Sequence, residues 1–184
     1  MRRLLLATGN AHKVEEVQAI LGPEVEVEAR DTGVEETGDT FEANALLKAH
    51  ALAAASGELA VADDSGIEID HLGGEPGIRS ARWTEEADWI PRVLRELDGV
   101  AVAERGCRYV CAAAAAWPDG REVVVRGTVE GRIAEGARGD GGFGYDPIVI
   151  PHEGDGRTFG EMAPAEKMAL SHRTRAFEAL RDLL

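Results

Sequence analysis

The sequence predicts an α/β or α+β fold built on a mixed sheet. Two observations carry this: apolar strands alternate with amphipathic helices over the first hundred residues, and hairpin-like segments dominate the second half. A length of 184 residues suits one domain with a sizeable core, and 44% apolar with only 5% aromatic residues makes that core mostly aliphatic and alanine.

Leu4–Ala7 reads as a buried strand running directly into Thr8-Gly9-Asn10. A helix follows with Val14, Val17, Ile20 and Leu21 on one face and Gly22-Pro23 as its stop. Val25 and Val27 alternate with glutamates as in a half-buried strand. The acidic loop DTGVEETGD leads to Asp39-Thr-Phe-Glu42, a capping-box-like start for a helix reaching about Ser56, with Gly57 as its C-terminal signal. Strands at 59–63 and 67–70 come next, followed by the glycine-rich GGEPGIRSAR and a helix marked by Pro91 that ends at Gly99. The remainder reads as strands 107–117 and 121–133 around a Pro118-Asp119-Gly120 turn, a glycine cluster at 139–144 and a strand at 147–150. Two helices close the chain, after Pro164 and after Ser171.

A net charge of −14 disfavours nucleic acid and anionic membrane as partners. A small anionic substrate would need a local basic pocket or a divalent cation. Cys107 and Cys111, the only two cysteines, lie four residues apart on a predicted strand. That separation is roughly 13 Å, beyond the roughly 4.4–6.8 Å a disulfide spans, so both are expected as small buried hydrophobes in a reducing compartment. The N-terminal apolar run is too short for a signal segment and nothing approaches a membrane-spanning length, so a cytoplasmic location is expected.

Several stretches carry chemistry-bearing residues. Thr8-Gly9-Asn10-Ala11-His12-Lys13 places a strand end at a helix N-terminus, where free N–H groups favour an anion. Lys13 in the first turn opposes the helix dipole, which makes sense if a phosphate sits there; an ordinary βα turn with a solvated lysine is the alternative. Glu35 and Glu36 precede a helix on which Asn44 and Lys48 share a face, so a carboxylate, an amide and an ammonium could converge. In ADDSG, Asp63 and Asp64 must point to opposite faces of a strand, leaving one structural and one chemical, or both capping a turn. Phe143-Gly144-Tyr145-Asp146 suggests backbone bent close to a flat ligand, and Lys167, Ser171, His172 and Arg173 cluster donors near a helix start. No P-loop pattern occurs, and the 139–144 glycines precede a Pro-containing β segment rather than a dinucleotide-binding helix.

Taken together and in order, TGNAHKVEEV, ETGDTFEANALLKA, ADDSGIEID, GGEPGIRSAR, GGFGYDPI and EKMALSHR resemble the inosine/xanthosine triphosphate pyrophosphatase family, over roughly residues 4–180. The resemblance implies an α/β fold with a long mixed central sheet and flanking helices, two lobes around a nucleotide cleft within a single domain over 1–184, and a homodimer. It implies Mg²⁺-dependent cleavage of deaminated purine nucleoside triphosphates (ITP, dITP, XTP) to monophosphate and pyrophosphate. By motif, Thr8, Gly9, Asn10, Ala11, His12 and Lys13 hold the triphosphate with Lys48, and Glu36 and Asp64 bind the metal. Asp64 is also the proton acceptor, with Ser65 beside the substrate, while Phe143, Gly144, Tyr145, Asp146, Lys167, His172 and Arg173 recognise the base. Asp63 is then expected to brace the turn from the opposite face. Donors facing a purine O6 would reject adenine but not guanine, whose rejection must arise around the 2-position. The chain departs from the family pattern at Ala43 (where acid is common before the Asn), Val149 and Met168. Two other readings use the same residues: a pyrophosphatase of standard nucleotides or modified pyrimidines, and a nucleotide-sensing module, against which the metal carboxylates argue.

Overall fold

In the computed structural model, residues 2–184 are described, apart from the side chain of Arg2. Six strands, β1 (Arg2–Ala7), β2 (Val25–Arg30), β3 (Ala60–Ile69), β4 (Gly106–Ala116), β5 (Glu122–Ile133) and β6 (Val149–Pro151), form one sheet in the order β2-β1-β3-β4-β5-β6. β1 runs parallel to β2 and β3, whereas β5 and β6 are antiparallel, so the sheet is mixed as the sequence predicts. The helices are α1 (Ala11–Leu21), α2 (Phe41–Ser56), α3 (Trp89–Glu96), α4 (Pro164–Leu170) and α5 (His172–Arg181).

The chain divides into two compact units. The first comprises residues up to Ser65, Cys111–Gly127 and His172–Leu184. Its core packs Leu4, Leu6 and Val61 with Val17 of α1, Cys111, Ala113 and Ala115 of β4, and Ala176, Phe177 and Leu180 of α5. Residues 111–116 are all buried, so this stretch of β4 is covered on both faces, and its alanines let the neighbouring elements approach closely. Gln18 ties α1 to β2 by donating to the carbonyls of Gly22 and Val25 and accepting from the Val27 N–H. The edge strand β2 carries Glu26 and Glu28, charges that discourage pairing with another chain. The second unit spans Gly66–Val110 and Thr128–Ser171, and its core joins Ile67, Ile69, Val93, Leu97, Tyr109, Ile133, Ile148 and Phe159.

Two expectations change. Residues 59–63 and 67–70 are not separate strands: β3 is continuous through Ser65-Gly66, so the aspartate pair lies within a strand and Asp63 has no turn to brace. The Ser65 hydroxyl, a turn signal in isolation, is taken up by the Asp63 carboxylate at 2.7 Å, and the Ile67 N–H is satisfied by Ser80 Oγ at 2.9 Å. The start of α2 is set by Thr40 rather than Asp39, its hydroxyl accepting from the Ala43 N–H. Both cysteines are free and buried, which pushes their thiols up to about 12. Among the described residues, no helix is long and apolar enough to cross a membrane.

Candidate active site

The first unit gathers most of the predicted site on β3 and the starts of three helices. β3 presents Asp63 and Asp64 to opposite faces, and both are buried. Asp64 accepts from the Asn44 side-chain amide at 3.1 Å and from the Ser65 N–H at 3.1 Å. Asn44 Oδ1 accepts from the Gly38 N–H at 2.8 Å, so one side chain ties the acidic loop to the carboxylate. Lys48, one helical turn beyond Asn44, places Nζ 2.6 Å from Glu36 and 3.9 Å from Asp64, and donates to the Asp63 carbonyl at 2.7 Å. The expected convergence of carboxylate, amide and ammonium is therefore present, with Glu36 as the carboxylate.

Electrostatics separate the two aspartates. Burial raises the Asp64 carboxyl to about 6, with the neighbouring Glu36 adding to the effect against the opposing pull of Lys48. Asp63 is buried too, but Lys13 and Arg173 outweigh that desolvation and hold it far below the ordinary carboxylate range. Its Oδ2 lies 3.0 Å from Lys13 Nζ and 3.3 Å from Arg173 Nη2. The other end of the Arg173 guanidinium pairs with Glu16 of α1.

The turn before α1 differs in one respect from the expectation of open N–H groups. Asn10 caps the helix, its side chain accepting from the N–H groups of His12 and Lys13, while Thr8 Oγ1 accepts from the Asn10 N–H at 3.1 Å. The N–H groups of Asn10, His12 and Lys13 are thus satisfied within the turn rather than open. Asp63 also offsets the unfavourable placement of the Lys13 ammonium at the positive end of α1.

The predicted base-recognition residues divide. Asp146, buried in the second unit, accepts from the Tyr109 hydroxyl at 3.0 Å, the Phe143 N–H at 2.8 Å and the Lys167 ammonium at 2.7 Å. Lys167 also lies over the Phe143 ring, 4.5 Å from its centroid. Tyr145 stacks on Trp89 at 5.4 Å and donates to the Ser80 carbonyl at 2.8 Å. Gly142 has φ +69°, and a Cβ there would run into the Asp146 carboxylate, so glycine is required beside that hub. Gly144 likewise has positive φ, and its ideal Cβ would come 4.0 Å from Trp89. His172 and Arg173 begin α5 in the first unit, where Arg173 also meets Ser65 Oγ at 3.2 Å.

Some participants lie outside the residues that the sequence motifs mark. Glu16 and Cys111 meet the cluster through Arg173 and Asp63, across separations no local pattern encodes. Asn44 was detectable from its helix face. Gly38 is constrained by it: an added Cβ would lie 2.7 Å from Asn44 Oδ1 and 2.8 Å from the Ala43 Cβ. Gly38→Ala is therefore expected to displace Asn44 and loosen Asp64, costing about 1–3 kcal/mol in urea unfolding with a fall in turnover measured on the same preparation.

A mixed-sheet α/β fold with two carboxylates facing an ammonium, and a second lysine close by, has the donor set of a phosphate- and cation-handling protein. The chain belongs to the Ham1 family, whose model matches residues 4–183. It is 49% identical over 181 residues to a dITP/XTP pyrophosphatase of Symbiobacterium thermophilum, covering 95% of this chain and 91% of the relative. Against the protein of the same name from Streptomyces avermitilis the identity is 47%, covering 98% and 96%. Among solved structures, the Staphylococcus aureus Ham1 protein superposes with a TM-score of 0.87 at 36% identity, covering 99% of this chain and 97% of that one.

Proposed function

We propose that this chain hydrolyses deaminated purine nucleoside triphosphates, dITP and XTP among them, to the monophosphate and pyrophosphate. The observation that carries the reading is Asp64: a buried carboxyl raised to about 6, held by Asn44 and Ser65 and set beside Glu36 and Lys48. Ionised at neutral pH, the Asp64 carboxylate can orient a water and accept its proton as the α–β anhydride is cleaved. Lys13 and Lys48 offset the phosphate charge. His12 and the Thr8 hydroxyl are further side-chain candidates for that contact.

The residues fit a hard divalent cation. Glu36 and Asp64 bring carboxylate oxygens to the same ammonium, and Glu36 raises Asp64, a like-charge conflict that a cation relieves. Mg²⁺ bound to a triphosphate takes only one or two protein carboxylates. Glu36 and Asp64 would hold it. When bound, it would neutralise charge developing on the phosphate oxygens. In the second unit, Lys167, set by Asp146 over the Phe143 ring, would read the base with Tyr145. In the first, His172 is a further candidate for base contact and Arg173 would act through Asp63 and Ser65. The protein would act as a homodimer.

The test is the product pair. Phosphorus NMR of a dITP reaction with Mg²⁺ is expected to show dIMP and pyrophosphate, and chelation is expected to abolish both. Formation of dIDP and orthophosphate would contradict the reading.

A further inference from the structure

Asp63 faces away from Asp64, yet it touches more of the site's cations than any carboxylate around it. Its Oδ2 takes Lys13 Nζ at 3.0 Å, Ser65 Oγ at 2.7 Å and Arg173 Nη2 at 3.3 Å. Its backbone carbonyl takes Lys48 Nζ at 2.7 Å and Lys13 Nζ at 3.4 Å. Two lysines from two helices thus converge on one residue, and that residue is bonded directly to Asp64. An ammonium has three N–H donors. Lys13 directs two at Asp63, and Lys48 directs one at Asp63 and one at Glu36, which leaves a third on each for a phosphate oxygen.

We propose that Asp63 is the positioning residue of the phosphate end. Its carboxylate fixes Lys13 and its carbonyl fixes Lys48, setting the spacing of both ammoniums from Asp64 before substrate arrives. The inference rests on the reading that a triphosphate binds at these lysines. Lysine is a flexible side chain with about 2 kcal/mol of rotamer entropy, so an ammonium ordered beforehand binds phosphate more tightly than one ordered by the ligand. Arg173, itself gripped by Glu16, holds the same carboxylate from the other side and keeps it from following Lys13 toward the ligand.

The test uses Asp63→Asn and reads the inhibition constant of inorganic pyrophosphate together with KM and kcat for dITP. Positioning predicts that the pyrophosphate constant and KM rise about 10–100-fold, with the smaller change in kcat and partial recovery in Asp63→Glu. A residue that only stabilises the fold would lower the active fraction, and kcat would fall with KM and the pyrophosphate constant unchanged; that result overturns the proposal. If Asp63→Asn does not fold, Asp63→Asn/Lys13→Met removes one buried charge of each sign. Its pyrophosphate constant is expected to match that of Lys13→Met within about threefold, because the Asp63 side chain acts through Lys13. Multiplying losses would overturn the proposal. Wild-type protein that pyrophosphate does not inhibit would contradict the functional reading itself, whereas inhibited wild type with an unaffected Asp63→Asn constant contradicts the positioning role alone.

Discussion

Asp64→Asn is expected to lose about 10²–10⁴-fold in turnover while nucleotide binding persists, and to gain stability as activity is lost. The native Asp64 carboxyl sits at about 6, above its ordinary 3.8, so between those values the folded protein binds the proton more tightly than the unfolded chain. Stability is therefore withdrawn as pH rises through that window, and the penalty is fully present above about pH 6. At about 1.4 kcal/mol per pH unit its upper bound is about 3 kcal/mol. Asparagine carries no such penalty and keeps one acceptor for Asn44 or Ser65. Urea unfolding in metal-free buffer should show the variant gaining on wild type from pH 4 to pH 7. Equal stability at pH 7, or retained turnover, would remove Asp64 from its assigned role.

Arg173→Leu should have the largest effect on stability. Arg173 is 1% exposed and bridges Glu16 and Asp63, so its loss takes a close cation from a buried carboxylate and leaves that carboxylate to Lys13. Breaking such a pair costs about 3–5 kcal/mol. For a chain of this length that corresponds to a melting temperature lower by roughly 6–20 °C. The pH dependence has the opposite sign to that of Asp64. Asp63 is held below its ordinary 3.8, so the stability from its pairing is fully present above about pH 4 and is lost as pH falls further. The gap between wild type and Arg173→Leu should accordingly narrow in acid, as read by circular dichroism melts at pH 7 and pH 3.

Much of this architecture is legible in the residues themselves. The LLLA run, the alternating VEVEAR, the Gly22 and Gly57 stops and the PDG turn each encode an element locally, and the elements form where those signals fall. The period of two also separates Asp63 from Asp64 correctly. What it leaves open is which carboxylate does chemistry, because the distinction lies in partners distant along the chain: Arg173 and Lys13 for one, Asn44, Lys48 and Glu36 for the other. The local signals divide β3 for the same reason. Ser65-Gly66 has turn composition, and only Asp63 and Ser80 reveal that its donors and acceptors are used within a continuous strand. The cap supplied by Asn10 was hidden differently: the same residue that marks a phosphate-binding turn by motif closes the helix end by hydrogen bonding.

The most direct measurement is pyrophosphate release from a panel of dITP, XTP, ATP and dTTP, each with and without Mg²⁺. Donors built around a purine O6 leave an unpaired group when adenine enters, which disfavours it strongly. The account predicts kcat/KM for dITP and XTP at least about 10²-fold above that for ATP and dTTP, and only with the cation present. Comparable turnover of ATP or dTTP would contradict it.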